Sequence, residues 1–290
     1  MINDDRIILI NYPSGGFGNF VYHILTEYST NTHKVDNSNF HLSTSGNSHS
    51  GVKYTPVWSK DPNDYVLPKI ETDNKLLILC DNGIDNDSIV KISQKFKSHK
   101  IIRLCIDQEI RPVIFKTYTT KSLDRTVYDE VSEQVNNYWS DAAEEYAVRE
   151  NFTLFYHNWP FKWEPLADSS VINVSIQKLI DNPIDTLKNL IINIGGSVIN
   201  KKSFENLCKE WLKSNQRYFQ IYKSWKSIEQ ALDNEEDYDL TSITDLHDQG
   251  YINYCIEKKY KITIRVRDYM NWFKTTNDIK KMINDDKLIN

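Results

Sequence analysis

From Arg6 to Tyr28 the chain reads Arg-Ile-Ile-Leu-Ile-Asn-Tyr-Pro-Ser-Gly-Gly-Phe-Gly-Asn-Phe-Val-Tyr-His-Ile-Leu-Thr-Glu-Tyr, an order that restricts the fold more than any other stretch. Ile7 to Ile10 form the short, unbroken apolar run of a strand buried on both faces. Beyond the turn, Val21, Leu25 and Tyr28 recur at helical spacing. Pro13 closes the strand, and Gly15, Gly16 and Gly18 permit positive φ and close approach of the backbone to a ligand. The amides left without partners at a helix N-terminus, together with the positive end of its macrodipole, favour a phosphate or sulfate at that point. Three glycines in four residues also suit a plain tight turn. Placement directly after an N-terminal strand favours the anion-binding reading.

Further strands are expected at Lys75 to Cys80, Lys100 to Ile106 and Ser170 to Ile176. Helices are expected from about Asp87 to Lys97, with Asp87 as N-cap, and from near Pro183 to Ile194 before Gly195-Gly196. Alternating strands and helices with short connections imply right-handed βαβ crossovers. The expected fold class is therefore α/β: a mainly parallel central sheet flanked by helices in three layers. Residues 31–72 read as a polar, irregular insertion, with a short strand candidate from Gly51 to Trp58, and residues 126–150 carry a long helical pattern. The aromatic segment from Phe152 to Trp163 suits either a substrate pocket or packing beneath a loop.

From Lys201 onward the pattern is helical, with Phe204, Leu207, Trp211, Tyr218, Tyr222 and Trp225 forming an apolar stripe. The segment from Asp248 to Tyr254 reads as a partner surface or as part of a packed layer, and the Lys/Asp-rich tail beyond Asn277 is expected to fray. We divide the chain into a core over residues 1–200 and a helical C-terminal extension over 201–290 packed on it, which together read as one large domain.

Composition removes several functions. Charged residues make up 26%, hydrophobic ones 40%, and the net charge is -5, so broad nucleic-acid binding is disfavoured. No stretch approaches the roughly 18 apolar residues of a membrane span, and Met1-Ile-Asn-Asp-Asp-Arg lacks a basic region followed by a long apolar segment. A soluble, cytoplasmic protein is expected. Cys80, Cys105, Cys208 and Cys255 are widely spaced and read as buried reduced thiols; neither they nor the histidines show metal-ligand spacing, so no metal is expected.

Two separated segments resemble the sulfotransferase superfamily. Tyr12-Pro-Ser-Gly-Gly16 stands where that family's first strand ends in a Tyr-Pro-Lys-Ser-Gly loop, and Val174 to Pro183 followed by Leu187, Leu190, Ile191 and Ile194-Gly195 is similar to its "Tyr-Glu-Asp-Leu, Asp-Pro, helix, Leu-Gly" signature. Lys100 to Lys116 occupies the place of the strand and helix around the donor's 3′-phosphate. These landmarks span roughly residues 6–196. The resemblance implies a P-loop-like fold binding 3′-phosphoadenosine-5′-phosphosulfate (PAPS), with no metal, and in-line transfer of a sulfuryl group to a hydroxyl or amine of a small-molecule or glycan acceptor. It places Ser14, Gly15, Gly16, Phe17, Gly18 and Asn19 around the 5′-phosphosulfate, with Arg111 and Lys116 as cations near the 3′-phosphate.

Ser14 stands at the family's loop lysine. Asn19 is a side-chain donor or a helix cap. His23, one turn beyond Asn19, is a base, a charge stabiliser or an ordinary hydrogen-bonded histidine. Asp81 follows the second strand, where α/β sheets place their ligands, and reads as the base or as the cap of the Asn82-Gly83 turn. Two other readings stand beside this one. Gly15-Gly-Phe-Gly-Asn19 also resembles the start of some fucosyltransferases, and a binding or assembly protein without turnover would keep the same fold.

Overall fold

The structure is a computed structural model describing residues 6–13, 16–34, 72–80, 86–95, 100–106, 110, 163–264 and 272–289. It divides into two compact units, one holding residues 1–110 and 161–216 and the other residues 111–160 and 217–290.

In the first unit, strands β1 (Ile7–Asn11), β2 (Leu76–Cys80), β3 (Lys100–Cys105) and β4 (Val171–Ser175) form one parallel sheet in the order β2-β1-β3-β4. All four expected strands are present, each within a residue or two of its expected bounds. They are rich in Ile, Leu and Val, which suit a pleat covered on both faces. Alternation along the strands puts Ile7, Leu9, Ile78 and Ile101 on one face, where they pack with Ile89 of helix α2 (Asn86–Lys95) and with the partly buried Leu166. Helix α2 begins at Asn86, which puts Asp87 in its first turn instead of at the cap.

Helix α1 (Gly18–Tyr28) contacts β1 and β2 and also packs on α4 (Pro183–Asn193) and α5 (Lys201–Ser214). Between β4 and α4 lies α3 (Ile176–Asp181), a short helix capped by the Ser175 side chain, where the sequence pattern suggested the strand running on to Ile176. The start of α4 follows expectation. Asn182 accepts from the Asp185 amide, Pro183 fills the first turn, and Gly195 leaves the helix at φ 86.

The path from β1 to β2 moves one way across the sheet and the path from β3 to β4 moves the other way. The carboxyl ends of β1 and β3, which are neighbours, therefore form a topological switch point, the place where open α/β sheets take their ligands.

The described part of the second unit is helical: most of α6 (Gln216–Asp233), α7 (Leu246–Tyr260) and α8 (Thr276–Ile289). Lys259 on α7 joins Glu229 at 3.2 Å and Asp233 at 2.6 Å, tying α7 to α6. The tail expected to fray is helix α8. Its Ile279, Met282 and Ile283 are buried at positions i, i+3 and i+4, a stripe hidden in sequence by the surrounding Lys and Asp. Residues 249–257 are buried on every side of α7, so the Asp248 to Tyr254 segment belongs to a packed layer.

Cys105, Cys208 and Cys255 are buried free thiols. Among the described residues no helix is long and apolar enough to cross a membrane, and no group of three potential metal ligands occurs.

Candidate functional site

Strand β1 ends at Asn11, and the chain then turns through Tyr12 and Pro13 into α1. The Gly16 amide donates to the Pro13 carbonyl at 2.7 Å. Gly16 and Gly18 were expected to supply positive φ and room for a ligand. Neither has a φ in the left-handed region; the residue that does is Phe17, at φ 63 and ψ 19. What the glycines provide is space for the chain itself. A Cβ on Gly16 would lie 2.5 Å from Pro13 Cγ and 2.7 Å from the Pro13 carbonyl oxygen, and one on Gly18 would fall within the Tyr12 ring.

A left-handed phenylalanine costs about 1–2 kcal/mol of backbone strain. Packing holds it in place. The Phe17 ring is fully buried and meets Trp211 edge-on at 5.2 Å, while Phe20 stacks on the same indole at 4.2 Å with the planes 3° apart. Three aromatic rings thus anchor the turn to α5, and such contacts are worth about 0.5–1.5 kcal/mol each beyond their buried area.

Phe17 is the N-cap of α1 and contributes no side-chain cap. The first turn, Gly18, Asn19 and Phe20, has intrahelical acceptors for none of its amides, and all three residues are buried. Asn19 lies inside the helix, so the capping role considered for it does not apply.

His23 stands one turn further along α1. Burial lowers its pKa from 6.5 to about 4, against a smaller upward pull from Glu27. The imidazole is therefore neutral at pH 7, and a charge-stabilising role near the loop would require acid conditions. Between pH 6.5 and about 4 the unfolded chain binds a proton that the folded chain excludes, so stability falls as pH drops through this window. At 1.36 kcal/mol per unit the loss has a ceiling of about 3 kcal/mol, lowered by the exposure His23 retains. Urea unfolding of the parent chain and of His23→Gln at pH 7 and pH 5 should show the larger loss in the parent. Equal losses would remove His23 as the source.

Sequence reasoning missed Arg103. It stands in the middle of β3 and is 1% exposed, in register with Asn11 on β1 and Asn173 on β4. Its Nη1 donates to Asn11 Oδ1 at 2.7 Å, its Nε donates to the Glu164 carbonyl at 2.9 Å, and its guanidinium lies 4.7 Å from the centre of the Trp163 ring. Among the described residues no carboxylate forms an ion pair with it. Burial lowers its pKa, yet a guanidinium stays charged at any physiological pH. An arginine inside Ile101-Ile-Arg-Leu-Cys105 was the available signal, since a charge in an otherwise apolar strand has to be accommodated by something specific.

Of the residues expected at the site, Gly16, Phe17, Gly18, Asn19 and His23 are brought together at the β1–α1 junction. Ser14, Gly15, Asp81, Arg111 and Lys116 lie outside the described residues, as do the strand candidate at 51–58, nearly all of the 31–72 insertion, the 126–150 helical pattern and the aromatic segment up to residue 162. Compared with known proteins, the chain matches no family model, no curated protein and no solved structure.

Proposed function

We propose that the β1–α1 junction binds the phosphosulfate of PAPS and that the chain is a sulfotransferase-like enzyme acting on a hydroxyl or amine. The observation that carries this reading is the buried first turn of α1, whose N-cap gives no side-chain hydrogen bond, at the switch point of a parallel sheet. Backbone amides at a helix N-terminus suit an oxyanion. The buried Arg103 guanidinium behind Asn11 raises the positive potential at the same sheet edge. This donor set fits a phosphosulfate, and PAPS when bound supplies the activated sulfuryl group.

In this reading the amides of Gly18 to Phe20 orient the donor, helped by the Asn19 side chain, and the chain's packing keeps water from them. His23, uncharged at neutral pH, contributes polarity without charge. Asp81 is the proposed acceptor of the proton released by the incoming hydroxyl.

A binding protein without turnover is the second reading. It is favoured by serine at position 14, where the resemblance calls for lysine, together with a His23 that carries no charge.

Thermal unfolding with adenosine 3′,5′-bisphosphate tests the donor site. At 100 times its dissociation constant the ligand should add about 2.7 kcal/mol of stability, and AMP should add much less. No shift with the bisphosphate, or a shift with GDP-fucose instead, overturns the sulfotransferase reading. A bisphosphate shift without sulfuryl transfer to any of a panel of hydroxyl and amine acceptors selects the binding protein.

A further inference from the structure

Strand β4 ends the sheet and, among the described residues, pairs with β3 alone. Edge strands in native proteins are ordinarily blunted by lysine, proline, a bulge or a covering segment. Val171-Ile-Asn-Val-Ser175 has no lysine or proline, and its register with β3 runs unbroken from Val171 opposite Ile101 to Ser175 opposite Cys105. The Ile101 amide donates to the Ser170 carbonyl at 3.0 Å, which sets the phase of the ladder. Ile172 and Val174 therefore turn their backbone groups toward β3, and Asn173 turns its N–H and C=O outward.

Beside this edge lies a cleft of about 360 Å³, bounded by residues 172–175 of β4 and by residues of α3 and α4. Successive strand residues point to opposite faces, so a cleft lined by four in a row opens along the edge itself. Asn189 and Asn193, one turn apart on α4, also line it; both are exposed, and their side chains make no hydrogen bond among the described residues. A carboxamide carries a donor pair and an acceptor, the same groups as a peptide unit. Four residues of β4 span about 13 Å, which leaves room for three or four residues of an added strand. Lys178, exposed on the same rim, forms no ion pair among the described residues. Asp181 and Asp185 line the cleft as well, Asp185 accepting from Asn182 Nδ2 at 2.7 Å, and neither neutralises Lys178.

We propose that the free edge of β4 is a docking groove for an extended peptide segment of a partner protein. The segment pairs with the outward N–H and C=O of Asn173, is met by the Asn189 and Asn193 side chains, and sets an acidic residue against Lys178. Main-chain pairing supplies the affinity, and the charge pair fixes the register. The groove is independent of the oxyanion reading at the β1–α1 junction.

The test is fluorescence anisotropy of the full chain with a blocked, dye-labelled heptapeptide of alternating threonine and valine that carries one central glutamate. Two controls are the same peptide with a central lysine and the same peptide with the amides of its three central residues methylated. Saturable binding of the glutamate peptide, weakened about tenfold or more by methylation, supports strand addition, because methylation removes the donors that pair with an edge. Asn173→Pro deletes the outward amide and none of the bonds to β3, and edge strands tolerate proline, so it should weaken binding by a similar factor. Asn173 also holds Leu166 through two side-chain hydrogen bonds. Should the proline variant fail to fold, the double variant Asn189→Ala/Asn193→Ala, changed only at exposed positions, should weaken binding instead. Lys178→Glu should reverse the preference and take the lysine peptide better than the glutamate peptide. No saturable binding of the glutamate peptide, equal binding of the methylated one, full affinity in the double alanine variant, or an unchanged preference in Lys178→Glu overturns the proposal.

Discussion

Gly18→Ala will strongly destabilise the first unit, by about 3 kcal/mol or more, even though alanine is the better helix former. Taken alone, helix propensity favours alanine over glycine by about 1 kcal/mol. Against this, the new methyl would fall within the Tyr12 ring, and that ring is 4% exposed, with little freedom to move aside. Inserting a methyl into a filled core typically costs 1–3 kcal/mol, and more when the obstacle is a fixed aromatic ring at the end of a central strand. Overpacking therefore wins. The midpoint of urea unfolding should fall sharply in Gly18→Ala and recover in the double variant Tyr12→Ala/Gly18→Ala relative to Tyr12→Ala alone, the mark of a direct steric coupling. Additive losses would show that the ring yields and that the glycine serves something else. Gly16 is subject to the same logic through Pro13, so loss of a ligand in a Gly16 variant would report on the turn before it reported on the ligand.

The sheet was legible because its information is local. Each strand is a short run of β-branched or apolar residues between breakers, and parallel pairing follows from the helices between them. Helix α4 was legible for the same reason, having Asn182, Pro183 and Gly195 as punctuation. What the sequence hid depends on partners distant in the chain. Gly16 and Gly18 looked like phosphate-loop glycines, but Pro13 and Tyr12 occupy the space beside them, and a propensity argument cannot see that Trp211 holds Phe17 in a left-handed conformation. Arg103 was invisible as a site residue because its partners, Asn11 and the Glu164 carbonyl, come from separate segments. His23 and Asn19 share helix α1 one turn apart, as their spacing requires, while the charge of His23 depends on burial that the sequence does not encode locally. The burial of Gln249, Asn253 and Glu257 on α7 was hidden too, since polar residues at that spacing usually mark a solvated face.

Arg103→Leu sets two large effects against each other. Removing a buried charge relieves its desolvation, and well-packed apolar replacements of buried ionic groups are often neutral or stabilising. The leucine, however, removes two charge-assisted hydrogen bonds, one to the buried Asn11 Oδ1 and one to the Glu164 carbonyl, at about 1.5–3 kcal/mol for a bond to a charged group, the smaller share at the exposed Glu164. It also removes the guanidinium from the Trp163 ring, worth about 0.5–2 kcal/mol. Only one side of each contact is replaced, so the lost hydrogen bonds dominate and a net loss of about 2–4 kcal/mol is expected in urea unfolding. Arg103→Lys should not restore it, because a single ammonium lacks the planar fork that reaches Asn11 and Glu164 together. Arg103→Leu combined with Asn11→Leu removes both ends of that contact at once, so the two losses should be less than additive; full additivity would place the effect outside the Asn11 contact. Since Asn11 is the last residue of β1 and the turn into α1 begins there, the lysine variant should also bind adenosine 3′,5′-bisphosphate more weakly than the parent under conditions where both are fully folded. Equal affinity would confine Arg103 to holding β1, β3 and the Trp163–Glu164 segment together.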